Sequence, residues 1–172
     1  MTVTLVEKYN PLWPEWFEEI KASLGENITR ACLRIEHVGS TSIPGMTAKP
    51  IIDIIIVIEP ECWEEMKSLL DERGYYYRGD QGIKDREVFR LTDETVLPLH
   101  HLYVCPTYSL ELKRETAFRD YLKNDKAEAE RLSALKWQLA EKFDNDREAY
   151  IDGKVSLCGE ISEKAMEYFH MK

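Results

Sequence analysis

The sequence predicts an α+β fold, a mixed sheet packed with helices and followed by a helical C-terminal half, and three observations predict it. Residues 30–38 and 51–58 read as two strands separated by a polar loop that Gly39 and the Pro44-Gly45 pair punctuate. Glu61 to Arg73 reads as a helix between the second strand and a later hairpin, which makes the central strands a parallel pair with an antiparallel edge. After Pro106 the composition changes to helix formers and stays so.

In chain order, Trp13 to Leu24 forms the first helix: Pro14 suits its start, Trp13, Phe17, Ile20 and Leu24 recur at helical spacing, and Gly25-Glu26-Asn27 ends it. The loop Gly39-Ser40-Thr41-Ser42 offers three hydroxyls and backbone N–H groups in a run, the chemistry that holds phosphate oxygens. From Ile51 to Ile58 the single polar side chain is Asp53, in a β-branched run suited to a strand buried on both faces. A carboxylate there costs several kcal/mol unless it is paired, hydrogen-bonded, metal-bound or protonated. Two readings stay open: Asp53 caps the Gly39–Ser42 loop, or it points at whatever that loop holds, most simply a divalent cation on a phosphate.

The second helix carries Trp63, Met66, Leu69 and Leu70 inward and has Gly74 as its C-cap. Tyr75-Tyr76-Tyr77 and the turn cluster Arg78 to Gly82 read as a mobile connection. Glu87 to Thr92 then pairs with Leu99 to Cys105 across the Asp93-Glu94 turn. On the last strand His101 and Tyr103 share one face and His100 and Leu102 the other, so one histidine faces the site. Asp53 with His101 is the sharper metal candidate and a hydrogen-bonded strand histidine the plainer alternative, with Glu36, His37 and Glu87 as further nearby donors. Ser109–Lys123, Asp125–Phe143 and Val155–His170 read as helices, with Glu128, Glu130, Lys136, Glu141 and Lys142 on a solvated outer side.

At 172 residues the chain fits one domain, 1–172, and 44% hydrophobic with 32% charged residues excludes disorder and low complexity. A net charge of −9 and a pI near 5.0 argue against binding a nucleic-acid polymer, which relies on Lys and Arg displacing counterions. Cys32, Cys62, Cys105 and Cys158 form no CxxC or CxxH pair, so no zinc or dithiol signature is present. Residues 1–8 lack a signal-peptide core and Ile54 to Ile58 is too short to span a bilayer, so a cytoplasmic protein with no membrane partner is expected.

The segment from His37 to Ile54, HVGSTSIPGMTAKPIIDI, resembles the signature of the GrpB family, in the nucleotidyltransferase superfamily with the DNA polymerase β-like core. Tyr9 to Phe17, His100-His101-Leu102 and Phe118 to Leu122 are similar to further family segments, so the resemblance covers nearly the whole chain. It implies a nucleotidyltransferase-like core, with Gly39-Ser40 positioning a nucleoside triphosphate and Asp53 holding a divalent metal, Mg2+ or Mn2+. A second acidic residue is expected two positions on, where Ile55 stands. Tyr103 replaces a third histidine of the family pattern. Arg119, Lys136, Tyr150 and Lys154 match positions that recur in that pattern and reach toward the phosphates, or form ordinary salt bridges with Asp120, Asp146 or Asp152; Lys49 neutralises a phosphate. The implied partner is a nucleotide or other small phosphorylated ligand, in a transferase or in a binding module without turnover.

Overall fold

A computed structural model describes residues 4–170. Five strands, β1 (Arg34–Val38), β2 (Ile52–Ile58), β3 (Tyr75–Tyr77), β4 (Glu87–Leu91) and β5 (His100–Pro106), form one sheet in the order β1-β2-β5-β4-β3. β2 and β5 are parallel, as a crossover through a helix requires, and every other pair is antiparallel. The helices are α1 (Trp13–Ala31), α2 (Trp63–Glu72), α3 (Leu110–Asn124), α4 (Lys126–Lys142) and α5 (Arg147–Tyr168).

Strand alternation sorts the sheet into two faces. Ile52, Ile54, Ile56 and Ile58 pack toward α1 and α2 with Ile20, Leu24, Met66 and Leu70. Ile55 and Val57 turn the other way, with Val38 and Cys105, onto Leu112 of α3. This is why β2 reads as an apolar run: both faces are covered, and Asp53 lies on the α3 side near the strand's start. α3, α4 and α5 pack through Leu122, Leu132, Leu157 and Ile161, closing over the loop between β1 and β2 at Ile43 and Met46.

Three expectations are corrected. The first helix does not end at Gly25; it kinks there (φ 81°, ψ 174°) and runs on to Ala31, burying Ile28, so β1 starts at Arg34 rather than Arg30. Tyr75–Tyr77 is not a loose connection but the edge strand β3, with Tyr75 buried, its hydroxyl 2.7 Å from His100 Nε2, and Tyr77 packed on Phe89. Aromatic residues suit a half-buried pleated edge, and the turn cluster that follows masks that preference. The last helix begins at Arg147, eight residues before the expected Val155, because Asp146 caps it by accepting from Ala149 N.

Gly25 lies in backbone space that is essentially closed to other residues. Gly25→Ala is therefore expected to cost about 1–3 kcal/mol, or roughly 2–4 °C of Tm per kcal/mol, and to leave ligand binding unchanged. A thermal melt beside a binding titration checks both.

Candidate functional site

The turn after β1 is shaped by what it must clear. Gly39 has φ 73° and ψ −176°, and a Cβ on it would stand 2.3 Å from Asp53 Oδ2. Glycine is thus required both by the backbone and by the close passage of the carboxylate. Ser40–Ser42 then forms a single 3-10 turn, with Ser42 N donating to Gly39 O and Ile43 N to Ser40 O. Behind it His37 is stacked on Phe17 (centroids 4.9 Å) and its Nε2 lies 2.9 Å from Thr41 Oγ1, which in turn donates to Ile51 O. Burial, then Lys123 and Arg119, hold the His37 imidazolium down to a pKa of about 4, so His37 is a neutral prop for the turn and not a cation in the site.

Asp53 and His101 lie opposite each other in the β2/β5 register, and His101 Nδ1 donates to Asp53 Oδ1 at 3.1 Å. His100, on the other face, bonds Tyr75 and Pro98 O instead. Among the described residues no group of three or more His, Cys, Asp or Glu is placed to hold a metal ion, so Asp53 and His101 are two donors with no protein third. Glu36 pairs with Arg119 and Arg34, and Glu87 accepts from the Tyr77 hydroxyl on the far side of the sheet. Such a donor set does not build a resident metal site, but it suits a divalent ion that keeps several waters and reaches the protein on a phosphate.

The cationic side comes from the C-terminal helices. Lys136, expected on a solvated surface, is only 4% exposed, and its Nζ donates to Ser40 Oγ. Burial, then the neighbouring Lys154, pull its ammonium down to about 8. Lys154 lies over the Tyr150 ring, 5.1 Å from its centroid, and the pKa of Lys49 is lowered by burial, then by Arg147 and Lys154. Among the described residues none of Lys49, Lys136 and Lys154 makes an ion pair. Among the described residues no salt bridge to Asp146 or Asp152 is formed, whereas Arg119 pairs with Asp120.

Two connected spaces open from this arrangement. A cleft of about 520 Å³ lies between the sheet and α3 and α5, lined by Gly39, Ser40, Asp53, Lys136 and Lys154 on one side and Arg86, Tyr103 and Glu115 on the other. A smaller one of about 140 Å³ joins Thr41, Lys49 and His101 to the same Ser40, Asp53 and Lys136. Arg119 and Ser42 line neither: the Arg119 guanidinium bonds Glu36, Asp120 and His37 O, and the Ser42 hydroxyl donates to Gly39 O at 2.5 Å.

The family model for "GrpB protein" matches residues 2–164. The chain belongs to the GrpB family. It is 34% identical over 161 residues to UPF0157 protein YqkA of Bacillus subtilis, covering 93% of this chain but only 46% of that protein. It is 31% identical over 166 residues to UPF0157 protein BH1888 of Halalkalibacterium halodurans, covering 95% of this chain and 83% of that one. The crystal structure of conserved protein GrpB from Enterococcus faecalis superposes with a TM-score of 0.82 at 32% identity, over 95% of this chain and 98% of that one. The chain shares its fold with the Cid1 poly(U) polymerase, seen bound to MgGTP, at a TM-score of 0.55, 12% identity, and coverage of 78% of this chain and 44% of that one. Cid1 with its short product ApU gives 0.54 at 13% identity, over 78% and 42%. The fold is therefore nucleotidyltransferase-like.

In this GrpB-family cleft four charged lining residues escape a reading of the sequence: Arg86, Glu111, Arg114 and Glu115. Glu111 and Glu115 are one helical turn apart on α3, a spacing that puts both on one face, while Arg86 sits in a turn segment with no pattern to mark it. Burial first, then Asp53 and Glu111, push the Glu115 carboxyl up to about 8.

Lys136 binds its proton up to about pH 8 when folded, whereas the unfolded side chain holds it to about 10.5. The unfolded chain thus carries the extra proton across that window, and native stability rises with pH through it. Lys136→Met is expected to stabilise the fold by roughly 1–3 kcal/mol at neutral pH, with the gain shrinking as pH climbs through the window. Paired denaturant melts against pH check this; a variant that is less stable at neutral pH contradicts it.

Proposed function

We propose that the cleft binds a metal-bound nucleoside triphosphate or a like phosphorylated ligand, and that the family's nucleotidyltransferase-like core serves nucleotidyl transfer to a small acceptor. The observation that carries this is a buried, unpaired ammonium, Lys136, fixed on the Ser40 hydroxyl within hydrogen-bond reach of one cleft, in a chain of net charge −9. Burying an ammonium with no counter-anion is costly, and a site that does so is built for an anion that arrives later.

In this reading Ser40 and Lys136 bind phosphate oxygens, and Lys154 and Lys49 neutralise the rest of the polyphosphate. Gly39 lets the ligand's phosphates approach the backbone beside Asp53. Asp53 and His101 would hold the cation, and a bound divalent ion supplies charge neutralisation at the phosphates. His101, through its bond to Asp53, orients the carboxylate. The likeness to Cid1 supports the reading at the level of fold. The acidic net charge supports a small acceptor over a polymer.

A binding module without turnover is the second reading, and Ile55 favours it. It stands where a second carboxylate is expected, is fully buried, and packs among Val38, Val57, Cys105 and Leu112, so that position offers no metal ligand.

Calorimetric titration with each nucleoside triphosphate, with and without Mg2+ or Mn2+, followed by a product assay, separates the two. Ser40→Ala and Asp53→Asn are each expected to weaken binding about tenfold or more, the scale of a lost charge-assisted hydrogen bond, with melting little changed in Asp53→Asn and lowered in Ser40→Ala, which takes the hydrogen-bond partner from the buried Lys136 ammonium. Mn2+ is expected to support binding better than Mg2+, and His101→Ala to remove that preference while His100→Ala does not. Metal-independent binding in all these variants, or a large loss of Tm with unaltered affinity in Asp53→Asn, contradicts the proposal.

A further inference from the structure

A space of about 230 Å³ opens on the α2 side of the sheet and shares no lining residue with the two clefts. Ile58 and Pro106 place it at the carboxyl ends of β2 and β5, roughly 16 Å along β2 from Asp53. Trp63 at the start of α2 and Tyr108 before α3 are its aromatic walls, and both keep solvent-exposed surface. Its charged groups are Asp85 and Glu87, and no cation lines it. Among the described residues the Asp85 carboxylate makes no ion pair or hydrogen bond, while Glu87 accepts from the Tyr77 hydroxyl at Oε2 and leaves Oε1 without a partner. Arg86 between them lines the large cleft and stacks on Tyr103, so it pairs with neither. Both carboxylates are partly exposed, so a ligand entering from solvent reaches them.

We propose that this space is a second binding site, for a small alkylammonium ion whose nitrogen lies between the Asp85 and Glu87 carboxylates and whose alkyl groups lie on Trp63. The site does not rest on the function proposed above. Two carboxylates without a lining cation select a positive ligand. Trp63 then selects the kind of cation, because an indole face attracts an alkylated ammonium more strongly than the other aromatic rings do. A hydrated inorganic ion fits poorly: it would set its water shell against Trp63, Tyr108 and two prolines. Nor is there a cage to replace that shell, since no group of three or more His, Cys, Asp or Glu is placed for a metal among the described residues. One cation already lies near these rings outside the space: Lys67 Nζ is 4.9 Å from the Tyr77 centroid and 5.9 Å from that of Trp63. Its repulsion of a cationic ligand is opposed by two carboxylates, so the net field still favours a positive charge.

The test is an NMR titration of the whole chain that follows the Trp63 indole N–H resonance, assigned by its disappearance in Trp63→Phe. The probes are choline chloride, its neutral isostere in which carbon replaces the nitrogen, and magnesium chloride. The expected result is a saturable shift with choline, binding of the isostere weaker by about tenfold or more, and no saturable shift with magnesium. Choline affinity is expected to fall about fivefold or more in Asp85→Asn, one carboxylate of the two being lost. Asparagine tolerates the left-handed backbone of residue 85 (φ 59°) as aspartate does, so this variant keeps the fold, which an unchanged amide spectrum away from the site verifies. Asp53→Asn is expected to leave choline binding unaltered, because Asp53 lies at the other end of β2. A Trp63 resonance unmoved by choline, an isostere that binds as tightly, a stronger response to magnesium, or full choline affinity in Asp85→Asn overturns the proposal.

Discussion

One constraint shapes the cleft: the buried Lys136 ammonium, with no ion pair among the described residues, donates to the Ser40 hydroxyl. It joins α4 to the turn after β1 across the interface where the helical layer meets the sheet. An ammonium with no ion pair in that position opposes folding, and its depressed pKa is the measure of that opposition. The surrounding apolar contacts, Ile43 and Met46 on Leu132 and Ile161, supply the stability that holds it there. A chain that needed only stability would place methionine or leucine at 136. The site's chemistry and the fold's stability therefore pull in opposite directions at this residue.

Much of the sheet could be read from the sequence because its signals are local and strong. A β-branched run broken only by Asp53 can hardly be anything but a central strand, and the two-residue period of β5 already put His101 on the Asp53 side and His100 on the other. The resemblance to GrpB then fixed the kind of core, and the shared fold with Cid1 agrees with it. What escaped was decided by tertiary context. The burial of Lys136 is one such case: its helix carries charges that elsewhere face solvent, and the resemblance, not periodicity, put Lys136 among the phosphate-binding candidates. Gly25 looks like a stop signal and is a kink, because Ile28 beyond it still finds the α2 side of the sheet to bury against. Arg119 looks like a phosphate ligand and is spent on Glu36, Asp120 and a carbonyl, a choice visible only when β1 and α3 are adjacent.

Ile55 shows how completely the site differs from one with two carboxylates on the same strand. Ile55 is fully buried, packs among Val38, Val57, Cys105, Leu112 and Tyr103, and lines the cleft beside Asp53, so the surface where a second carboxylate would stand is apolar. Besides Asp53, the acidic groups that enter the cleft are Glu111 and Glu115, which come from α3. The cleft is accordingly asymmetric, with unpaired lysines over the turn at Ser40 and a mixed acidic and guanidinium surface beyond Asp53. Under the proposed function that asymmetry would give a phosphorylated ligand one orientation, with its anionic end on Ser40 and its remainder toward α3.

The measurement that bears most directly on this account is anomalous diffraction at the manganese edge from crystals grown with Mn2+ and a non-hydrolysable nucleoside triphosphate. The account predicts one manganese peak at Asp53 and His101, with the triphosphate oxygens on Ser40 and Lys136. A triphosphate bound elsewhere, or a cleft that stays free of both metal and phosphate at saturating concentrations, would contradict it.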